Sequence, residues 1–216
     1  MRAIMFGSIG VLAETSDLQR LGFNDAFREA GLDWSWSPQD YRAMLRQSGG
    51  QDRIARYAAA RGVSVDAPAL HAAKTRHFLA RLAGGVPLRP GVARSMAAAE
   101  AAGLRLALVS TTAAEVIAAV LAATGLDRAR FAAVLDAGAV ARGKPAPDAY
   151  NVALARLGLS PAEALAVEDN PDGFAAARAA GLPCIAFPGA LHDASGFAGV
   201  LAVQAVLRLP PPFNPN

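Results

Sequence analysis

Cysteine is nearly absent from this sequence. Cys184 stands alone in 216 residues, so no disulfide can form within the chain. It lies in the apolar run Cys184-Ile185-Ala186-Phe187 and is expected to pack as a small apolar residue. No apolar run approaches the roughly 20 residues of a membrane-spanning helix. Arg2 and the apolar residues after it imitate a signal peptide, but Gly7-Ser8 and Glu14 interrupt them too early, and a core strand accounts for them better. Basic runs interleaved with aromatics are also missing, so the net charge of +3 and pI near 9.5 give no reason to expect a nucleic-acid partner. Lysine is scarce: of 21 basic residues only Lys74 and Lys144 are lysines. Where arginine is so strongly preferred, a lysine marks a place that needs a compact point charge rather than a planar fork. What remains is 53% hydrophobic, enough for a substantial core, and the expected setting is the cytoplasm, with no membrane partner.

The pattern of elements gives the fold class. Ala3-Ile4-Met5-Phe6 is an unbroken apolar run ending at Gly7-Ser8-Ile9-Gly10, the way a buried strand of a parallel sheet begins a domain. Residues 17–83 read as helical. Leu18, Leu21, Phe23, Ala26 and Phe27 recur at helical spacing, Pro38 opens a second helix, and Ile54–Ala60 and Ala69–Leu82 make a third and fourth. From Gly91 onward helices of about ten residues alternate with the strands Leu104–Val109, Phe131–Leu135, Ala164–Val167 and Cys184–Phe187. The expected fold is α/β, a doubly wound parallel sheet with an all-helical cap inserted after the first strand. Residues 1–16 and 88–208 would form the core, 17–87 the cap, and 209–216 a proline-rich tail held only by incidental contacts. Trp34 and Trp36 are assigned to cap packing.

Ligands of open α/β sheets bind beyond the carboxyl ends of the strands, so the polar residues there are the candidates for chemistry. The second strand ends in Ser110-Thr111-Thr112, and Glu115 three residues on makes a capping box with Thr112, an N-terminus suited to an anion. The third is followed by Gly143-Lys144-Pro145. The fourth ends in Glu168-Asp169, whose two carboxylates suggest a cation or a lysine partner, while Asn170 and Pro171 start the next helix.

Ser110-Thr111, Gly143-Lys144-Pro145 and Glu168-Asp169 with Gly173 match in order and spacing the second, third and fourth motifs of the haloacid dehalogenase superfamily. The chain resembles its CbbY-type sugar-phosphate phosphatases and related phosphomutases over nearly its whole length. The resemblance extends to Gly49-Gly50, His71 with Lys74, and Leu88-Arg89-Pro90-Gly91. It implies that Ser110, Thr111 and Lys144 hold a phosphoryl group, that Glu168 and Asp169 help to bind Mg²⁺, and that Arg53, His71 and Lys74 of the cap read the rest of a phosphorylated small molecule.

The first motif departs from the family. Aligned on Gly10, Leu12 and Glu14-Thr15, the resemblance puts the nucleophilic aspartate at Gly7, the acid/base aspartate at Ile9 and a threonine at Val11, while a histidine frequent in this branch is Gln19. Losing such a nucleophile commonly costs on the order of 10⁴-fold or more in turnover. The expectation is therefore a ligand-binding protein with little or no standard phosphatase activity and no metal cofactor. The alternatives are a hydrolase with non-standard catalytic residues and a non-catalytic interaction module. Ser8 is one residue out of register with Gly7, and strand alternation is expected to turn it away. Lys144 is expected to pair with Asp169 or Glu168, and the space beside Gly7 to hold water or an anion.

Overall fold

The computed structural model describes residues 1–192, 196–197 and 199–210. Six parallel strands run in the order β3-β2-β1-β4-β5-β6: β1 Ala3–Phe6, β2 Arg105–Val109, β3 Phe131–Leu135, β4 Ala164–Glu168, β5 Cys184–Ala186 and β6 Ala202–Val203. Helices cover both faces, which is why the strands are continuously apolar rather than alternating. One face carries Ile4, Phe6, Leu106, Leu108, Leu165 and Val167, the other Ala3, Met5, Ala107, Val109, Ala164 and Ala166. Strand order reverses beside β1, so the crevice at its carboxyl end is the ligand position that the topology favours.

The helices follow the sequence closely: α1 Ile9–Leu12, α2 Ser16–Glu29, α3 Pro38–Met44, α4 Gly50–Ala59, α5 Ala67–Leu82, α6 Val92–Ala101, α7 Ala114–Thr124, α8 Asp148–Leu157 and α9 Pro171–Ala179. The segment from α2 to α5 has its own core, in which Phe23, Phe27, Trp36 and Tyr41 are essentially inaccessible and Trp34 packs edge-on to Phe27. The chain enters and leaves it side by side, through an antiparallel bridge between Ala13 and Leu88. Cys184 is buried, as its apolar surroundings imply.

Three features depart from the sequence reading. The third helix, expected from Ile54, already starts at Gly50 as α4, behind Gly49, whose φ of 92° takes up the reversal. The two-residue β6 is too short for periodicity to reveal. Leu209, assigned to the tail, is 3% exposed and packs with Leu207 into the core; residues 211–216 of the expected tail lie outside the described residues.

Candidate functional site

The amide of Gly7 donates to the Val167 carbonyl at 2.8 Å, the last contact of the β1 end with β4. Ser8 then becomes the N-cap of α1, its Oγ accepting the Val11 amide at 3.2 Å. Strand alternation stops here, and that corrects the expected orientation of Ser8. Its hydroxyl is not turned away but donates to Asp169 Oδ1 at 2.8 Å. Asn170 Nδ2 donates to the same oxygen at 2.8 Å, while the side-chain Oδ1 of Asn170 caps α9 by accepting the Gly173 amide. Ile9 and Val11 are buried in the core. Arg89 fixes this turn from below, donating to the Gly10 and Phe187 carbonyls at 3.0 and 2.8 Å with its guanidinium over the Phe187 ring.

Lys144 reaches under β1 from the loop after β3; the peptide joining it to Pro145 is cis. Its Nζ donates to the Gly7 carbonyl, to the Val109 carbonyl at 2.8 Å and to Glu168 Oε1 at 2.5 Å. Three acceptors use all three hydrogens of an ammonium. The expected ion pair is therefore present, with Glu168 rather than Asp169. The Tyr150 hydroxyl donates to the same Glu168 oxygen at 2.6 Å. Glu168 is wholly buried, and burial raises its carboxyl above the usual range against the opposing pull of Lys144. Its second oxygen has no hydrogen-bond partner among the described residues.

The space beside Gly7 is not open to water or an anion. A Cβ built on Gly7 would overlap the Glu168 carboxyl group, and one built on Gly173 would overlap its other oxygen. Glu168 lies between these two glycines and fills what the sequence suggests is a void. Glycine at 7 and 173 is what lets the longer carboxylate fold back beneath β1.

Ser110 is 1% exposed, its amide on the Leu135 carbonyl. Its Oγ accepts the Thr112 amide at 3.1 Å, and this overturns the expected capping box. With that amide taken by Ser110, α7 starts one residue later, at an Ala113 N-cap that makes no side-chain bond. Thr111 and Thr112 face the cleft.

The cleft has a volume of about 870 Å³ and is bounded by both the sheet and the helical segment. From the latter it receives Arg53, His71 and Lys74, so these three, Lys144, Thr111 and Asp169 share one cavity. Arg53 and Lys74 are both buried at 6% exposure. Arg53 is oriented by the Gln47 and Met44 carbonyls at 2.9 and 3.3 Å. Lys74 donates to Gln19 Oε1 at 2.9 Å. Burial, with Arg53 nearby, lowers its ammonium pKa to about 7, and burial likewise lowers that of His71. Tyr150 and the Gln19 partnership escaped the sequence reading, because a tyrosine on the inner face of a helix reads as core.

Residues 1–181 match the family model of haloacid dehalogenase-like hydrolases. The chain is 45% identical to a plasmid-encoded CbbY protein of Cupriavidus necator, over 94% of this chain and 84% of the relative. The chain belongs to the haloacid dehalogenase-like hydrolases, in their CbbY-like branch. A CbbY protein of Rhodobacter capsulatus is 40% identical over 97% and 99% of the two chains. Among solved structures, CbbY of Rhodobacter sphaeroides in complex with phosphate superposes with a TM-score of 0.86 at 38% identity, covering 95% of this chain and 94% of that one. A mutant of that protein, with the same TM-score, identity and coverage, is in complex with xylulose-(1,5)bisphosphate. Among the described residues of this haloacid dehalogenase-like chain, no helix is long and apolar enough to cross a membrane.

Proposed function

We propose that this CbbY-like chain binds a phosphorylated small molecule, of the sugar bisphosphate class, without aspartyl-phosphate chemistry. In this reading residues 17–87 act as a cap over the core of 1–16 and 88–208, and the protein works in the cytoplasm. One observation carries it: Arg53, His71 and Lys74 meet Lys144 and Thr111 across a single cleft, while the strand end that faces them carries glycine at position 7. A dianionic group at each end of a ligand would meet cationic side chains from opposite walls. The bisphosphate bound by the Rhodobacter sphaeroides relative supports the ligand class.

The donor set does not fit Mg²⁺, which takes near-octahedral oxygen coordination at about 2.0–2.1 Å. Gly7 offers no side-chain donor, Glu168 has the Lys144 ammonium against it, and Asp169 Oδ1 is shared by Ser8 and Asn170. A cation placed on Glu168 would face another cation. No step is assigned to a metal. Without one, the chain's own residues bind and orient: Lys144 and the β2 end at one phosphate, Arg53 at the other.

Thermal-shift titration tests this reading. Sugar bisphosphates should raise the melting temperature without Mg²⁺, and Arg53→Met should abolish the rise. No stabilisation by any phosphate would favour an interaction module instead. One contact favours a second reading, a hydrolase with Ser8 as nucleophile: its hydroxyl already donates to a carboxylate. Turnover of an aryl phosphate that disappears in Ser8→Ala would establish it. The expected result is no turnover above a buffer blank.

A further inference from the structure

The two lysines differ in a way that neither phosphate binding nor fold stability uses. Lys144 has every hydrogen committed to an acceptor, one of them a carboxylate. Lys74 has a single hydrogen-bond partner among the described residues, the neutral amide oxygen of Gln19. The Gln19 amide is itself oriented by donating to Thr15 Oγ1 at 3.4 Å. Around Lys74 Nζ stand the rings of Phe23 at 5.1 Å and Phe78 at 5.0 Å. The titratable groups facing it are Arg53 from α4 and His71 from its own helix, both basic and neither a counter-ion. Charge–ring attraction at that range is worth about 0.5–2 kcal/mol, less than the penalty of burying an ammonium with no counter-ion. An amine in this setting sheds its proton near neutrality, and Lys74 lines the cleft.

We infer that Lys74 is a covalent attachment site, its amine condensing reversibly with the carbonyl carbon of a phosphate-bearing aldehyde or ketone held in the cleft. The inference rests on the phosphate-binding reading above, since the phosphate is what would hold the carbonyl near the amine. In the step, the Nζ lone pair adds to the carbonyl carbon and the π electrons move to oxygen. The carbinolamine then expels that oxygen as water, which takes both amine hydrogens, and a C=N bond remains. No oxidant or reductant is needed. A desolvated lysine among basic neighbours is the arrangement that activates amines for such additions. The cleft, at about 870 Å³, is large enough for a sugar-phosphate-sized molecule.

The scarcity of lysine makes the test clean, because only Lys74, Lys144 and the Met1 α-amine are available to an aldehyde. The intact protein would be treated with pyridoxal 5′-phosphate or with pyridoxal, reduced with borohydride, and mapped by peptide mass spectrometry. The expected result is an adduct on Lys74 and none on Lys144. The phosphorylated aldehyde should label about tenfold faster or more, as positioning by the phosphate predicts, and excess inorganic phosphate should protect. Lys74→Met should remove the adduct, and the wild-type protein should show the phosphate-induced thermal shift. Labelling of Met1 alone, with that thermal shift intact, would overturn the inference and leave the phosphate-binding reading standing. Labelling of Lys74 that phosphate neither accelerates nor blocks would overturn the anchoring of the carbonyl.

Discussion

Replacing Lys74 by methionine should stabilise this protein, and the gain should shrink in a defined way as pH rises. Methionine has nearly the same length, and its thioether suits contact with Phe23 and Phe78. In the unfolded chain the lysine titrates at about 10.5, in the folded one at about 7. Above 10.5 neither state carries the charge, and burial has no electrostatic cost. As pH falls from 10.5 to 7 the unfolded state takes up a proton that the folded state refuses, so the wild type loses stability. Below 7 the penalty is complete. Integrating the linkage between pH 9.5 and 7.5 gives a change of about 2.5 kcal/mol, with wild type gaining on the variant as pH rises. His71, lowered from its ordinary value, is neutral throughout that window and drops out of the comparison. Urea unfolding at the two pH values, followed by fluorescence of Trp34 and Trp36, measures it directly. A stability difference between variant and wild type that stays constant from pH 7.5 to 9.5 would refute the reasoning, because Lys74 would then keep its proton when folded.

Three further outcomes follow from the buried carboxylate. Gly7→Asp should lower stability by about 1–3 kcal/mol, since the new side chain meets the Glu168 carboxyl and the Tyr150 hydroxyl; adding Glu168→Ala should recover part of the loss, both read from urea midpoints. Lys144→Met should cost about 3–5 kcal/mol by leaving Glu168 uncompensated, and Lys144→Met with Glu168→Gln should cost clearly less. Tyr150→Phe should cost about 1.5–3 kcal/mol, the range for a hydrogen bond to a charged acceptor, measured the same way.

The sheet was legible because its strands are buried on both faces and read as unbroken apolar runs, and the helical segment because its aromatics recur at helical spacing. The positions of Ser110, Lys144 and Glu168 at strand ends followed from the same pattern. What escaped was which partner each polar group takes. Ser8 was assigned by strand alternation, yet the strand ends at Phe6 and Ser8 is already an N-cap, which obeys a different geometry. The Thr112–Glu115 spacing suits a capping box, but Ser110 is nearer to the Thr112 amide and takes it. The burial of Arg53 and Lys74 was not legible either, because burial depends on what the helical segment packs against, and helix periodicity does not contain that.

The Glu168 carboxylate occupies the space beside Gly7. A missing carboxylate beside Lys144 would leave an ammonium facing backbone carbonyls alone. Here a carboxylate is present at that place, supplied from the next strand. Glu168 balances the charge of Lys144, and it is wholly buried and held by Lys144 and Tyr150. A nucleophile must approach its target to about 3–3.5 Å, and an inaccessible carboxylate cannot. An aspartate placed at position 7 would therefore meet an occupied position. Lys144, neutralised from beneath, keeps its place at the floor of the cleft, where an incoming phosphate would compete with Glu168 for the same ammonium. Ligand affinity should then rise in Glu168→Gln, whose amide oxygen competes less well than a carboxylate. A calorimetric titration in which that substitution weakens phosphate binding would show that Glu168 supports the ligand rather than displacing it.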